Sequence, residues 1–251
     1  MLTKRIIACM DIANGRIKKG TNFKNLRDAG DPVQLAKLYS DNGIDELIFL
    51  DVMATIENRK TLINLVKCIA KEINIPFTVG GGVKTLADIK ILLDAGADKV
   101  SIGSTAVTNP DFVSKATKEF GSQCIVISID PKKEKDSWKI YIKGGREKTN
   151  LDTIEFCQDM EKRGAGELLV NSLDRDGTKE GYDIELLKAI GNATNLPIIA
   201  SSGAGKKEDF LEVFKKADTS AALAASLFHY QELEIKNLKQ YLAKNNINIR
   251  L

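Results

Sequence analysis

The chain has 251 residues, of which 43% are hydrophobic, 28% charged and 6% aromatic, and this length predicts one large α/β domain or two small ones. Its net charge is only +3, with acidic and basic residues interspersed, and no apolar run approaches the length of a membrane span. These features argue against nucleic acid or a membrane as the main partner.

Short apolar runs alternate with amphipathic segments along the whole chain. The apolar runs predict strands buried on both faces, as in a parallel sheet, over residues 5–10, 46–51, 76–79, 99–102, 124–130, 167–171, 197–200 and 220–224. The amphipathic segments predict helices over residues 32–42, 59–73, 86–95, 111–120, 151–163, 184–192, 206–216 and 232–244. Eight strand–helix units predict a (β/α)8 TIM barrel. A doubly wound open sheet is less favoured, because no GxGxxG motif follows the first strand.

An internal repeat favours the barrel. Four motifs recur in the same order at a spacing of 119–122 residues, among them the aspartates Asp11 and Asp130 at the ends of the first and fifth predicted strands. A fixed spacing of this kind indicates duplication of a structural unit. We therefore expect a single α/β domain over residues 1–251, built from two similar (β/α)4 halves, about 1–120 and 121–251.

Asp11 and Asp130 are the candidate catalytic residues. Active sites of TIM barrels lie at the carboxyl ends of the strands, and the first and fifth strands face each other across the mouth. Two opposed carboxylates can divide the acid and base roles if their pKa values differ. Either aspartate alone could simply initiate a turn, but the symmetric pair favours catalysis.

Glycine-rich and serine-containing turns follow the third, fourth, seventh and eighth predicted strands. The positions are Gly82, Gly103, Ser104, Gly203, Ala225 and Ser226. Backbone N–H groups at such turns can hold a phosphate; the alternative interpretation is that glycine only allows a tight turn. The duplication predicts two phosphate sites on opposite sides of the mouth, and hence an elongated substrate with a phosphate at each end.

Two further loops carry candidate substrate contacts. The Asp-Arg-Asp-Gly-Thr loop after the sixth strand contains Asp176 and Gly177. Its backbone amides could bind the second phosphate, and Asp176 and Thr178 could contact hydroxyl groups of the substrate. The basic segment 14–20 after the first strand is typical of a mobile loop that closes over an anion, with Lys19 as the contact. A solvated turn is the alternative for each loop.

At the opposite end of the predicted barrel, four strands begin with a charged residue. These are Arg5, Glu46, Lys99 and Glu167. They should converge as a ring of alternating charge at the bottom of the barrel. From the pattern alone, a structural ring of ion pairs is the favoured interpretation.

The cysteines and the histidine restrict the chemistry. Cys9, Cys68, Cys124 and Cys157 are widely separated and form no CxxC pair, which predicts free thiols in a reduced, cytoplasmic protein. His229 is the one histidine, so a multi-histidine metal site is impossible. We predict no metal and no cofactor.

The motifs of the whole chain resemble the cyclase subunit of imidazole glycerol phosphate synthase, an enzyme of histidine biosynthesis. They are KRIIACMD (4–11), NLRDAGDP (25–32), TVGGG (78–82), GADKVSI (96–102), GSQC (121–124), DRDGTK (174–179) and AAS (224–226). The resemblance implies a heterodimer in which a glutaminase subunit docks on the barrel bottom and supplies ammonia through the barrel. The implied substrate is the doubly phosphorylated phosphoribulosyl-formimino aminoimidazole carboxamide ribonucleotide. The implied products are imidazole glycerol phosphate and the aminoimidazole carboxamide ribonucleotide.

The resemblance also implies roles for individual residues. Asp11 corresponds to the general base and Asp130 to the general acid. One phosphate would be held by Gly82, Gly103 and Ser104, and the other by Gly177, Gly203, Ala225 and Ser226. The resemblance implies an ammonia gate formed by Arg5, Glu46, Lys99 and Glu167, with Asp98 and Gln123 near the glutaminase contact.

The chain departs from the family's usual pattern at four places. Gly103 stands where asparagine is usual, Ser202 where glycine is usual, and Asn171 where threonine is usual. One residue inserted before the eighth strand shifts Ser226. These changes bear on substrate affinity more than on reaction type.

Three other functions compete with the cyclase. The sister isomerase of the pathway shares the paired aspartates, but the basic loop, the Asp-Arg-Asp-Gly-Thr loop and the charge ring favour the cyclase. A cyclase-like protein of surface-sugar amidination is expected to lose the first aspartate, which this chain keeps as Asp11. A catalytically silent scaffold that activates a glutaminase would not need both Asp11 and Asp130.

Overall fold

The computed structural model describes residues 2–13, 15–21, 24–54 and 61–251, with the side chains of residues 18–29 outside the description. The strands are β1 (Arg5–Ala13), β2 (Arg16–Thr21), β3 (Lys24–Gly30), β4 (Glu46–Asp51), β5 (Phe77–Gly80), β6 (Lys99–Ile102), β7 (Ile125–Glu134), β8 (Ser137–Ile142), β9 (Glu147–Asp152), β10 (Glu167–Asn171), β11 (Ile198–Ser201) and β12 (Ala221–Ala224). The helices are α1 (Pro32–Asp41), α2 (Ile63–Glu72), α3 (Leu86–Asp94), α4 (Ser104–Thr108), α5 (Asp111–Phe120), α6 (Thr153–Lys162), α7 (Ile184–Ala193), α8 (Lys207–Lys216), α9 (Ser226–His229) and α10 (Ile235–Lys244).

Eight parallel strands form a closed barrel. Their order around the ring is β1, β4, β5, β6, β7, β10, β11, β12, and β12 pairs with β1 to complete it. The register places Ile7 opposite Glu46 on β4 and Leu168 opposite Ile198 on β11. The helices lie between successive strands, so the predicted (β/α)8 barrel is confirmed.

Apolar side chains fill two layers, one inside the barrel and one between the strands and the helices. Ile7, Ile48, Val126 and Leu169 belong to the inner cluster. The larger outer cluster joins the other faces of the same strands to the helices. Strands packed on both faces explain why the sequence shows continuous apolar runs. Within the described ranges, no helix is long and apolar enough to cross a membrane.

Two antiparallel hairpins extend from the barrel and were not predicted. β1 continues past the barrel to pair with β2, which pairs with β3, and β7 continues in the same way to pair with β8 and then β9. On β8 the side chains of Trp138, Ile140 and Ile142 are buried, while their neighbours are more exposed. This period of two is the pattern of a strand with one face on the core.

The second hairpin corrects the predicted start of one helix. The helix expected over residues 151–163 begins at Thr153, because Leu151 and Asp152 end β9. Asp152 then caps α6, since its carboxylate accepts hydrogen bonds from the N–H groups of Ile154 and Glu155. Asp31 caps α1 in the corresponding way, with Pro32 as the first helical residue.

The order of elements is the same in the two parts of the chain. A barrel strand with a two-stranded hairpin is followed by three strand–helix units, and each part ends with a short helix and a longer one, α4 and α5 or α9 and α10. This correspondence extends the sequence repeat to the hairpins. We propose on this basis that the single barrel domain, residues 1–251, consists of half-barrels 1–120 and 121–251.

Candidate active site

Asp11 and Asp130 lie on opposite sides of the barrel mouth. They belong to β1 and β7, which are four positions apart around the eight-stranded ring. Asp11 is only 4% exposed, and the thiol of Cys9 lies 3.6 Å from its Oδ1. Neither aspartate ends its strand, contrary to expectation, because β1 and β7 both continue into hairpins. Each marks the place where its strand approaches the rim of the barrel.

Asp130 has a well-defined set of neighbours. The side-chain N–H of Asn171 on β10 donates to Asp130 Oδ1 at 3.0 Å and to Ser128 Oγ at 3.1 Å. The backbone N–H of Gly145 also donates to the Asp130 carboxylate. These two donors come from different elements, the next barrel strand and the turn between β8 and β9. Both fix the direction in which the carboxylate faces.

Burial makes the carboxyl group of Asp130 harder to ionise. It raises the pKa of Asp130 from 3.8 to about 6, and the negative charge of Asp176 adds to the rise. The hydrogen bonds from Asn171 and Gly145 act in the opposite direction and lower the pKa. A carboxyl group with a pKa of about 6 can donate a proton close to neutral pH.

The first predicted phosphate site borders a cavity of about 120 Å³. Gly82, Gly103 and Ser104 line this cavity together with Asp130 and Asn171. It therefore brings the candidate acid and three candidate phosphate contacts into one site. A Cβ atom added at Gly103 would approach only Ser128 O, at 3.7 Å, which is an ordinary van der Waals contact.

The second predicted phosphate site lies across the mouth, after β10, β11 and β12. The loop that contains Asp176 and Gly177 is held against the turn after β11, because the backbone N–H of Gly181 in this loop donates a hydrogen bond to Gly203 O at 2.8 Å. Gly203 has φ +97°, and a Cβ atom there would lie 2.2 Å from Gly181 O. Only glycine fits this close approach. Asp176 is buried, whereas Gly177 is exposed.

Ala225 and Ser226 complete the second site at the end of β12. Ala225 is buried and Ser226, the first residue of α9, is partly exposed. Tyr182, in the loop after β10, donates its hydroxyl hydrogen to Leu223 O on β12 at 3.0 Å. The loop after β10 thus contacts the turn after β11 and strand β12, which holds the predicted contacts of the second phosphate on one side of the mouth.

Ser202, next to Gly203, has an unfavourable backbone conformation. Its φ is +76°, in the left-handed region that favours glycine. We expect Ser202→Gly to raise the free energy of unfolding by about 0.5–1 kcal/mol, because relief of strain exceeds the added entropy of the unfolded chain. Urea denaturation measures this. Ser201→Gly, in extended strand β11, is the matched control and should destabilise the protein, and destabilisation by both variants would contradict the prediction.

The basic segment after the first strand is more regular than expected. Residues 16–21 form β2 and pair with β3, although the sequence predicted a mobile loop. Asn14 and the side chain of Lys19 lie outside the described residues, so the predicted contact of Lys19 with substrate stays a prediction.

At the bottom of the barrel, four side chains form the charge ring (Arg5, Glu46, Lys99 and Glu167). Arg5 pairs with Glu46 at 2.6 Å and also with Glu167, and Lys99 pairs with Glu46 at 2.8 Å and with Glu167 at 3.1 Å. Each cation therefore contacts both carboxylates. Burial would lower the pKa of Arg5, but Glu167 and Glu46 raise it above its ordinary value. The predicted convergence of four strand starts is confirmed.

Asp98 and Gln123 lie on the same bottom face. Asp98 precedes β6 and accepts a hydrogen bond from Phe77 N–H at 2.8 Å. Gln123 precedes β7 and lines a surface pocket with Arg5, Lys99 and Glu167. Both residues are exposed.

The chain is similar to known proteins over its whole length. The family model described as "Histidine biosynthesis protein" matches residues 5–234. The chain is 54% identical to the imidazole glycerol phosphate synthase subunit HisF of Hydrogenobaculum sp. (strain Y04AAS1) over 252 residues, with all of both chains covered. It is 52% identical to the same subunit of Clostridium botulinum (strain Okra / Type B1), with full coverage, and of Prochlorococcus marinus (strain MIT 9215), with 99% of that chain covered.

The chain belongs to the HisF family. It is accordingly an enzyme of the cyclase-subunit family of imidazole glycerol phosphate synthase, in histidine biosynthesis. The family resemblance inferred from the motifs is confirmed over the full length of the chain.

Some residues of this HisF-family site were missed by sequence reasoning. In the sequence, Asn171 stands out only as a departure from the residue usual in the family, although its side chain donates a hydrogen bond to Asp130. Gly145 and Arg146 were not considered, yet one donates to Asp130 and the other lines the cavity. The alternation of Trp138, Ile140 and Ile142, followed by Gly144 and Gly145, was the available signal for a strand and a turn.

Proposed function

We propose that this chain uses ammonia from a glutaminase subunit to convert the phosphoribulosyl-formimino aminoimidazole carboxamide ribonucleotide to imidazole glycerol phosphate and the aminoimidazole carboxamide ribonucleotide. The observation that carries the proposal is the placement of Asp11 and Asp130 on opposite strands, between two sets of glycine and serine residues. Membership of the HisF family supports it.

In the proposed mechanism the two aspartates have different roles. Asp11 acts as the general base during ring closure. Asp130 acts as the general acid and protonates the departing carboxamide nucleotide. The raised pKa of Asp130 supports its role, because a carboxyl group that holds its proton to about pH 6 can donate that proton close to neutral pH.

The two phosphates would bind on opposite sides of the aspartates. We assign one to Gly82, Gly103 and Ser104, beside the cavity that also contains Asp130. The other is assigned to Gly177, Gly203, Ala225 and Ser226, which lie across the mouth, and Asp176 beside them would accept hydrogen bonds from substrate hydroxyl groups. A substrate held at both ends would span the mouth and place its central atoms between Asp11 and Asp130.

The proposed path of ammonia runs through the barrel from bottom to top. The glutaminase subunit would dock on the bottom face near Asp98 and Gln123 to form a heterodimer. Ammonia would pass the charge ring and then the apolar inner cluster, which includes Ile7, Ile48 and Leu169. Neutral ammonia suits an apolar path, since ammonium would pay a desolvation cost there. The free thiols of all four cysteines support a reducing, cytoplasmic location.

The direct test is turnover of the formimino ribonucleotide by the purified chain with ammonium salt at alkaline pH. We expect formation of imidazole glycerol phosphate without a partner protein. Binding of the substrate with no conversion would contradict the proposed cyclase activity and favour the scaffold or sugar-amidination function.

Lys99→Met tests the gate within the same proposal. It removes a charge from the ring but keeps an unbranched apolar side chain. We expect glutamine-dependent turnover of the complex to fall about tenfold, equivalent to about 1.4 kcal/mol, while ammonia-dependent turnover is unchanged. Lys37→Met is the matched control, because Lys37 forms an exposed pair with Glu72 outside the ring. An equal loss in both assays would refute a gate role for Lys99.

A further inference from the structure

The turn between β8 and β9, residues 143–146, overhangs the first phosphate site. We refer to it as the tip loop. Lys143, Gly144 and Arg146 line the cavity that also contains Ser104 and Asp130. The tip loop is part of the hairpin that begins where β7 extends beyond the barrel. Its turn, between β8 and β9, lies beside the mouth.

The tip loop has a defined conformation. Lys143, Gly144 and Gly145 are consecutive residues with φ of 55°, 66° and 73°, and Arg146 N–H closes the turn by donating to Ile142 O at 3.1 Å. Glycine adopts this left-handed conformation without the strain that a side chain adds, which favours Gly144 and Gly145 in the turn.

Two further hydrogen bonds attach the tip loop to the site. The backbone N–H of Lys143 donates to Ser104 Oγ at 3.0 Å, and that of Gly145 donates to the Asp130 carboxylate. The tip loop therefore contacts a proposed phosphate residue and the proposed acid at once. Its position over the cavity is fixed by these contacts.

The two cations of the tip loop differ in their partners. Lys143 forms an ion pair with Glu147 at 2.6 Å. Arg146 forms no ion pair within the described part of the chain, although it lines a cavity whose acidic residues are Asp51 and Asp130. An arginine without a carboxylate partner, which lines the same cavity as Ser104 and Gly103, suits an anion with several oxygens.

We propose that Arg146 binds the substrate phosphate seated at Gly82, Gly103 and Ser104. This inference rests on the proposed function, which places a phosphate at that site, and adds a residue from the hairpin to it. The guanidinium group can donate two parallel hydrogen bonds to a phosphate. Because Gly145 of the same loop donates a hydrogen bond to Asp130, the proposed phosphate contact and the proposed acid lie side by side.

The test is a titration with inorganic phosphate, followed residue by residue in ¹H–¹⁵N spectra of the full chain. The amide signals of Gly103 and Ser104 report on the first site, and those of Gly203 and Ser226 report on the second site in the same sample. We expect Arg146→Ala to raise the dissociation constant about tenfold at the first site and to leave the second site unchanged. Arg146→Lys should give an intermediate value, because it keeps the charge but loses the paired donors.

Lys139→Ala is the matched control, since Lys139 lies on the same hairpin but pairs with Asp152 and does not line the cavity. It should leave both sites unchanged. Equal weakening at both sites in Arg146→Ala, no weakening at the first site, or no phosphate binding there in the unsubstituted protein would overturn the proposal.

Turnover of the formimino ribonucleotide provides a second readout. With ammonium salt, Arg146→Ala should raise KM about tenfold and change kcat much less, because a phosphate contact contributes mainly to binding. A protein that binds phosphate at both sites but shows no turnover would contradict the proposed function and leave the assignment of Arg146 supported. A fall in kcat with KM unchanged would overturn that assignment.

Discussion

Asp130→Asn is expected to lower ammonia-dependent turnover about 10³-fold, within the range for loss of a general acid. Asparagine has nearly the same shape and retains an oxygen that can accept the hydrogen bond from Asn171. Substrate binding should therefore persist, and the loss should appear in kcat. The measurement is steady-state kinetics at a fixed concentration of unprotonated ammonia, so that the pH dependence of the nucleophile does not interfere.

The same substitution is expected to stabilise the fold at high pH. The pKa of Asp130 rises from 3.8 to about 6 in the folded protein, so its ionisation above pH 6 opposes folding, and this cost disappears as the pH falls below about 4. Asparagine cannot ionise. We expect Asp130→Asn to raise the free energy of unfolding by about 1–3 kcal/mol at pH 8, and to show no such gain at pH 4.

Asp136→Asn provides the control for both measurements. Asp136 is exposed in the turn between β7 and β8, so the same chemical change there should alter neither turnover nor stability. Loss of activity in Asp130→Asn accompanied by lower stability at pH 8 would indicate a structural role and contradict the assignment of Asp130 as an acid.

Glu46→Ala is expected to lower the free energy of unfolding by about 3 kcal/mol, because it removes one member of a buried ionic network. Glu46 is 1% exposed and accepts hydrogen bonds from Arg5 at 2.6 Å, Lys99 at 2.8 Å and Thr78 at 2.9 Å. Its removal leaves Arg5 and Lys99 with Glu167 as their remaining carboxylate in the ring. Urea denaturation at neutral pH measures the effect.

Glu72→Ala is the matched control for Glu46→Ala. Glu72 forms an ion pair with Lys37 between two exposed side chains on the barrel surface, and such pairs contribute little to stability. We expect no measurable change. A loss of similar size in both variants would show that the network of the charge ring contributes no more than a surface ion pair.

The barrel was predictable because its signals repeat and are local. Eight apolar runs separated by amphipathic segments predict buried parallel strands between helices, and the spacing of Asp11 and Asp130 places two carboxylates on opposite strands. The charge ring was predictable for the same reason, since Arg5, Glu46 and Lys99 each begin a strand. These inferences need the position of a residue in its strand but not the conformation of its side chain.

The hairpins and the environment of Asp130 were harder to predict. β8 lacks the continuous apolar run of a strand buried on both faces, because its buried and more exposed residues alternate and only one of its faces packs on the core. The hydrogen bond from Gly145 depends on a turn of three left-handed residues and joins elements that are distant in sequence. Likewise, the raised pKa of Asp130 depends on burial and on Asp176, which only the assembled mouth reveals. Tertiary contacts of this kind leave no periodic signal in the sequence.

The chain has one tryptophan, Trp138, and its location makes it an intrinsic fluorescent reporter. Its indole is buried on β8, with the ammonium group of Lys133 5.3 Å from the ring centre. The other end of β8 leads into the tip loop that contacts Ser104 and Asp130. Tryptophan emission from the unmodified protein therefore comes entirely from the hairpin above the mouth, so changes in its wavelength or quenching report on this hairpin without any attached dye.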